Sequence, residues 1–291
     1  MLCTHAHQRA PVSDTATSRQ RLSDNACVAS RSRVHGGMQD RIPVLIYHDF
    51  YRQEEEISEA PGAERRYSLS VAQFTLHVER LASLNYSLCS VEKASGSRAV
   101  AFTFDDGHIS NYTCVWPILV ERGFTGTFFI VADWIGRAGR IDSSQLREMS
   151  SSGMSIGSHG LTHTGLAGLP EAVMDRELRV SKERLQQLLG TEVATLALPR
   201  GLMDRRVLER ARVAGYRRIC TSNAGLMRGG FAVPRLSVTS FTGVDVIEGY
   251  ARRDALLIGR TRAAQAARLG VKRLIGVRNY ETLCRKVLGT P

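Results

Sequence analysis

Long apolar runs are missing from this 291-residue chain. No stretch of eighteen or more apolar residues occurs, which excludes a transmembrane helix. Cysteine is also sparse. Cys3, Cys27, Cys89, Cys114, Cys220 and Cys284 are scattered, with no C-x-x-C pair among them. That spacing argues against a cysteine-built zinc site and against a disulfide framework. Free thiols fit a reducing compartment, and the first twenty residues lack the apolar core of a signal peptide. Cytoplasmic residence is the expectation. No G-x-G-x-x-G follows a strand-like run, so a dinucleotide fold has no support. Histidine is absent beyond residue 163.

Charge is present in excess, at +11, but it is unevenly placed. Residues 1–37 carry five Arg and two Asp, or +3; residues 251–291 carry ten basic and two acidic groups, or +8. Residues 38–250 carry 24 of each sign and sum to zero. The balanced body shows no basic stripe with interleaved aromatics, so nucleic acid is not an expected partner. Residues 1–37 are rich in Ser, Thr, Ala, Arg and Gln and read as a disordered or mis-assigned extension, with Met38 as the natural start. Residues 38–250 read as one domain. Residues 251–291 read as a basic helical tail, in which Leu256, Leu257, Ala263, Ala264, Ala267 and Leu274 alternate with Arg. Such a tail either caps the domain or rests peripherally on anionic membrane lipid.

Within the body, short β-type runs alternate with helical patterns. The runs are Pro43–Tyr47, Val100–Phe104, Thr127–Val131, Met154–Ser158, Ala194–Leu198, Arg217–Thr221 and Val233–Val238. Helices are predicted at Val71–Leu84, Glu171–Leu189 and Met203–Ala214, with Gly190 and Gly215 as stops. Alternation of this kind implies parallel strands joined by crossovers. About seven units in roughly 210 residues predict an α/β fold, a distorted (β/α) barrel. Gln53–Arg66 is polar and acidic and reads as a loop insertion after the first strand.

Several strand ends carry reactive side chains. The run at Val100 ends in Thr103-Phe104-Asp105-Asp106-Gly107. Adjacent Asp and Gly residues make turns, yet two carboxylates side by side can also divide metal binding from base chemistry. The run at Met154 ends in Ser158-His159-Gly160-Leu161-Thr162-His163, two histidines four apart. In a parallel barrel these ends meet on one face. Two His and one carboxylate there form a three-ligand set with an open position. Leu198-Pro199-Arg200-Gly201 ends the next run and is by itself only a turn signal. Tyr47-His48-Asp49 ends the first, where His48 is placed to act as a general acid.

These segments resemble the polysaccharide deacetylase family, also known as the nodulation-protein-B-homology domain or carbohydrate esterase family four, over roughly Ile42–Val238. The resemblance implies Asp105 as catalytic base, and Asp106, His159 and His163 as ligands of a divalent metal, usually zinc. It implies that the Arg200 backbone N–H donates to the oxyanion, where the family usually has Tyr or Phe after the proline. The late Leu-His-Asp and Asp-x-x-Trp segments of the family are absent. Members acting on exopolysaccharides use a first-strand histidine as acid, which maps to His48. The implied substrate is an N-acetylated glycan of a polysaccharide or lipid-linked oligosaccharide. An amidohydrolase acting on a small acyl amide and a non-catalytic carbohydrate-binding barrel are the competing readings.

Overall fold

The computed structural model describes residues 41–53, 65–201 and 203–275. The N-terminal extension, most of the loop insertion, and the tail beyond residue 275 lie outside the described residues. In chain order the elements begin with β1 Ile42–Tyr47, β2 Asp49–Tyr51, β3 Ser68–Ser70, α1 Val71–Ser83, β4 Ser87–Cys89 and β5 Ala99–Phe104. They continue with α2 Trp116–Glu121, β6 Thr127–Ile130, α3 Ser143–Ser151, β7 Ser155–Ser158, α4 Glu171–Leu189, β8 Thr195–Ala197 and α5 Arg205–Val213. The last are β9 Arg218–Cys220, β10 Leu226–Met227, β11 Ala232–Val233, β12 Leu236–Ser237, α6 Val244–Ala251 and α7 Ala255–Ile275.

Parallel pairing runs β1-β5-β6-β7-β8-β9, and β11 then pairs with β9 while β12 pairs with β1. Only Pro234 and Arg235 separate β11 from β12. The run Val233–Val238 is therefore two strands and not the single one expected from the sequence. Proline has no N–H to give to a ladder, so pairing breaks there. The chain crosses from one edge of the sheet to the other and nearly closes a seven-stave mostly parallel barrel. The (β/α) barrel expected from the strand–helix alternation is thus the fold.

Strand residues alternate between two cores, as the period of two requires. Ala99 and Ala101 of β5 face the barrel interior with Val44, Ala197, Cys220 and Val233. Val100, Phe102 and Phe104 face outward beneath the helices with Leu45 and Tyr47. Small inward residues make room for Phe129, which fills the lumen. Gly157 is part of that fit, because a Cβ there would collide with the Phe129 ring.

The face of α1 carrying Phe74, Val78 and Leu81 is buried, as its spacing predicts, but His77 is buried with it. Its Nε2 donates to Thr242 O at 3.0 Å, and its Nδ1 accepts from the Tyr47 hydroxyl at 3.3 Å. Burial pushes this imidazole down to about 4 from 6.5, against the opposing pull of the Thr242 carbonyl. The unfolded chain therefore takes up a proton that the folded chain refuses between these values. Stability contributed by neutral His77 is present above 6.5 and lost as pH falls toward 4, by about 3 kcal/mol. Urea unfolding at pH 7 and pH 4 checks this. A loss equally large in His77→Gln would assign the pH dependence to other groups.

Helix α7 packs one side on the barrel. Gly249 leaves room for Leu257, Ile258 is buried, and Thr261 Oγ1 meets the Tyr250 hydroxyl at 3.0 Å. Gln265 accepts from Ala224 N at 2.6 Å, and Arg262 donates to Ala224 O at 2.9 Å. The outer side exposes Leu256, Arg260, Ala263, Ala264, Ala267 and Arg268. Among the described residues no helix is long and apolar enough to cross a membrane.

Candidate active site

Alternation along β5 puts Thr103 and then Asp105 above the barrel lumen. Asp105 N donates to Tyr47 O at 2.9 Å, which extends the ladder one residue past the strand. The chain then turns sharply. Asp106 has φ 71° and Gly107 φ 62°, both left-handed, so the two neighbouring carboxylates leave the backbone in different directions. Asp105 meets Arg235, with Nη1 to Oδ1 at 2.7 Å and Nη2 to Oδ2 at 2.8 Å. Both side chains are buried, and the guanidinium lies over Phe129, 5.3 Å from the ring centroid. Burial raises the Asp105 pKa, but Arg235, helped by His159 and His48, outweighs it and holds the carboxyl below its ordinary range.

Asp106 meets the histidines. Its Oδ1 is 3.2 Å from His159 Nε2 and 3.1 Å from His163 Nε2. One ligand atom from each of the three residues lies within 4.8 Å of the others. The arrangement fits a cation on its own chemistry. The His159 Nδ1 is 2.9 Å from Ala197 O, a carbonyl that can only accept, so Nδ1 carries the proton. In a neutral ring Nε2 then presents a lone pair toward Asp106 Oδ1. That oxygen is buried and has no hydrogen-bond donor. Facing acceptors of this kind are reconciled by a shared cation or, without one, by protonated imidazoles that donate to the carboxylate. Burial opposes the charge of Asp106, yet the imidazoles of His108, His159 and His163 hold its pKa well below the usual range.

The loop carrying the two histidines is fixed from below. Glu177 of α4 accepts from Leu161 N at 2.8 Å, Thr162 N at 3.0 Å and Thr162 Oγ1 at 2.6 Å. Gly160 lies close over that carboxylate with φ 78°, where a Cβ would crowd Glu177 and Pro199. His163 itself has φ 65°. Trp134 packs on its ring with centroids 4.9 Å apart. The Arg140 guanidinium lies 4.3 Å from the Trp134 ring centroid and donates to Asp106 O at 3.1 Å.

His48 packs on Tyr67, with ring centroids 4.8 Å apart. Its Nδ1 is buried without a partner. Burial lowers the pKa of this ring, although the charges of Asp105 and Asp106 pull the other way. Its backbone carbonyl accepts from Asn111 Nδ2 at 2.7 Å. Asn111 opens a π-helical turn, Asn111–Val115, and such turns often occur where a side chain must be re-aimed at a functional site.

The structure thus brings His48, Asp105, Asp106, His159 and His163 to the carboxyl mouth of the barrel. Arg200 stands at the same end, in the turn after the strand whose Ala197 carbonyl holds His159. Its backbone is left-handed at φ 60°, and its side chain is exposed. Three residues of the mouth were not anticipated from sequence. Arg235 left one signal, a charged residue inside an apolar strand run. His108 lies 3.8 Å from Asp106 and 3.6 Å from Asp49, and nothing in its local sequence distinguishes it. Glu177 sits on a helix otherwise read for its leucines.

A nearly closed parallel barrel carries this cluster at its carboxyl mouth, the face on which (β/α)-barrel enzymes place their active sites. Residues 92–219 match the family described as polysaccharide deacetylase. Over that segment, somewhat under half of the chain, the barrel is similar to that family. The matched segment contains Asp105, Asp106, His159, His163 and Arg200; His48 and Arg235 lie outside it. The Bacillus subtilis protein YxkH, a polysaccharide deacetylase by name, is 26% identical over 211 residues, covering 68% of this chain and 72% of that protein. The Streptococcus pyogenes deacetylase PplD, solved with acetate, superposes with a TM-score of 0.64 at 23% identity over 70% of this chain and 95% of its own. A de-N-acetylase from Aggregatibacter actinomycetemcomitans does so with 0.64 at 19% identity, over 72% of this chain and 100% of its own.

Proposed function

We propose that this chain is a metal-dependent N-deacetylase of amino sugars in a polysaccharide or lipid-linked oligosaccharide, working in exopolysaccharide or cell-envelope glycan synthesis. The observation that carries this reading is Asp106 Oδ1, buried without a donor and faced by two imidazole nitrogens, beside an ionised Asp105. The similarity to proteins named deacetylase and de-N-acetylase supports the bond type.

Asp106, His159 and His163 would hold the divalent ion, zinc in first place for a donor set of two imidazoles and a carboxylate. Such an ion, when bound, supplies Lewis acidity toward the acetamide carbonyl and acidifies water. The protein's own groups do the rest. Asp105, fixed by both guanidinium nitrogens of Arg235, accepts the proton of the attacking water. The Arg200 N–H donates to the developing oxyanion, a contribution of about 3–4 kcal/mol for one such donor. His48 gives a proton to the departing amine. Acetate and a free amino sugar are the products.

Acetate release from N-acetylglucosamine oligomers and from lipid-linked oligosaccharides, with and without chelator, tests the reading. Chelation is expected to stop release, and added zinc to restore it. A protein that binds no divalent metal and releases no acetate in any of these conditions would overturn it. Cytoplasmic residence with peripheral contact through the basic C-terminal tail belongs to the same proposal, supported by Arg260 and Arg268 on the outer side of α7. Co-sedimentation with anionic but not neutral vesicles is expected, and equal binding to both would count against it.

A further inference from the structure

We propose that Phe241 is the platform of an outer sugar subsite, which stacks on the unit next to the one being deacetylated in the same glycan chain. This rests on the reading of the active site given above and extends it beyond the reacting sugar. Phe241 is 86% exposed, the most exposed large apolar side chain among the described residues. An isolated exposed apolar residue on a mobile loop would carry little meaning. The turn that bears this one is pinned on both sides.

Thr242 N donates to Thr239 O, and Thr239 N to Thr242 Oγ1, each at 2.9 Å. Ser240 N donates to Arg66 O at 2.9 Å. Gln73 Nε2 of α1 donates to Ser240 O at 3.3 Å and Thr242 O at 2.9 Å. His77 holds Thr242 O as well. Both neighbours of Phe241 are therefore tied to α1 or to Arg66, and the ring is held out in water by a rigid turn. A side chain with two rotatable bonds on a fixed backbone loses little freedom when it binds.

Its position selects the occupant. The turn follows the carboxyl end of β12, the end of the barrel that carries the catalytic cluster. Ser240 is bonded to Arg66, the Arg66 guanidinium lies 4.6 Å from the Tyr67 ring centroid, and Tyr67 packs on His48. Ring and guanidinium contacts thus join His48, Tyr67 and Arg66, and the Arg66 backbone is paired with the turn that bears Phe241. A pyranose presents apolar C–H bonds on its face and hydroxyls at its edge. An aromatic face with polar neighbours matches that pattern.

The test compares kcat/KM for a single N-acetylglucosamine unit with that for an oligomer. In Phe241→Ala the advantage of the oligomer over the single unit is expected to shrink about tenfold, chiefly through KM, and Phe241→Tyr is expected to restore it. An advantage equal to that of the parent enzyme would overturn the platform. Binding of the oligomer to Asp105→Asn, with and without Phe241→Ala, reads the platform independently of turnover. Weaker binding in the double variant supports it even if the parent enzyme deacetylates none of the glycans offered, an outcome that would fail the deacetylase reading alone. Unchanged oligomer binding together with lost vesicle binding would reassign Phe241 to lipid and overturn the proposal.

Discussion

Asp105→Asn is expected to lower acetate release by about 10²- to 10⁴-fold, the range for loss of a positioned general base, while the proposed divalent metal stays bound. The two carboxylates of Asp105-Asp106 are neighbours in sequence, but the left-handed turn at Asp106 gives them different partners. Asp105 faces Arg235, and Asp106 faces His159 and His163. An amide at position 105 has nearly the same shape as the carboxylate. It still accepts one bond from Arg235, but it cannot take a proton from water. Asp106, His159 and His163, proposed to hold the metal, are untouched. Turnover should therefore fall without loss of metal, whereas Asp106→Asn should lose both. Metal content and kcat measured on the two variants separate these outcomes. Full turnover in Asp105→Asn would remove Asp105 from the role of base.

The seven-stave barrel was legible because short β-type runs alternate with helical patterns between residues 43 and 238, which implies parallel strands joined by crossovers. In the fold Ala99 and Ala101 point inward and Val100, Phe102 and Phe104 outward, which sets Asp105 above the lumen. The metal-type cluster was legible for a related reason. Strand ends of a parallel barrel share one face, so reactive residues at three such ends converge whatever their distance in sequence.

What escaped notice depends on contacts that no local pattern records. Val233–Val238 reads as one strand, because nothing nearby shows that its halves pair with β9 and β1. Strands of two residues, such as β10, have no periodicity to detect. Helix α3 did carry a readable signal. Asp142 accepts from Gln145 N, and the Gln145 side chain accepts from Asp142 N, which makes a capping box. His77 was passed over because histidine carries no fixed polarity. Its burial is decided by Tyr47 and by Thr242, 165 residues away.

Arg235→Met is expected to destabilise the protein by about 3–5 kcal/mol, the usual cost of removing one member of a buried ion pair. Arg235 is fully buried, and its bonds hold together three distant parts of the chain. It donates to both oxygens of Asp105, to Thr103 Oγ1 at 3.2 Å and to Thr221 O at 3.1 Å. Methionine can occupy much of the space above Phe129, so the loss would come from polar groups left without partners more than from a cavity. The largest of these is the Asp105 carboxylate, charged and almost wholly buried. Removing it too should recover part of the loss, so Asp105→Leu with Arg235→Met is expected to be more stable than Arg235→Met alone. Arg235→Lys keeps the charge but not the two-pronged geometry, and should fall between the parent and the methionine variant. Urea midpoints for the four proteins give the comparison. If Arg235→Met unfolds at the parent's midpoint, the pair does not hold the barrel closed. The break at Pro234-Arg235 would then be a consequence of proline alone. If the double variant recovers stability, the same ion pair that fixes the proposed base is a cost the fold bears for keeping a charged carboxylate over its lumen.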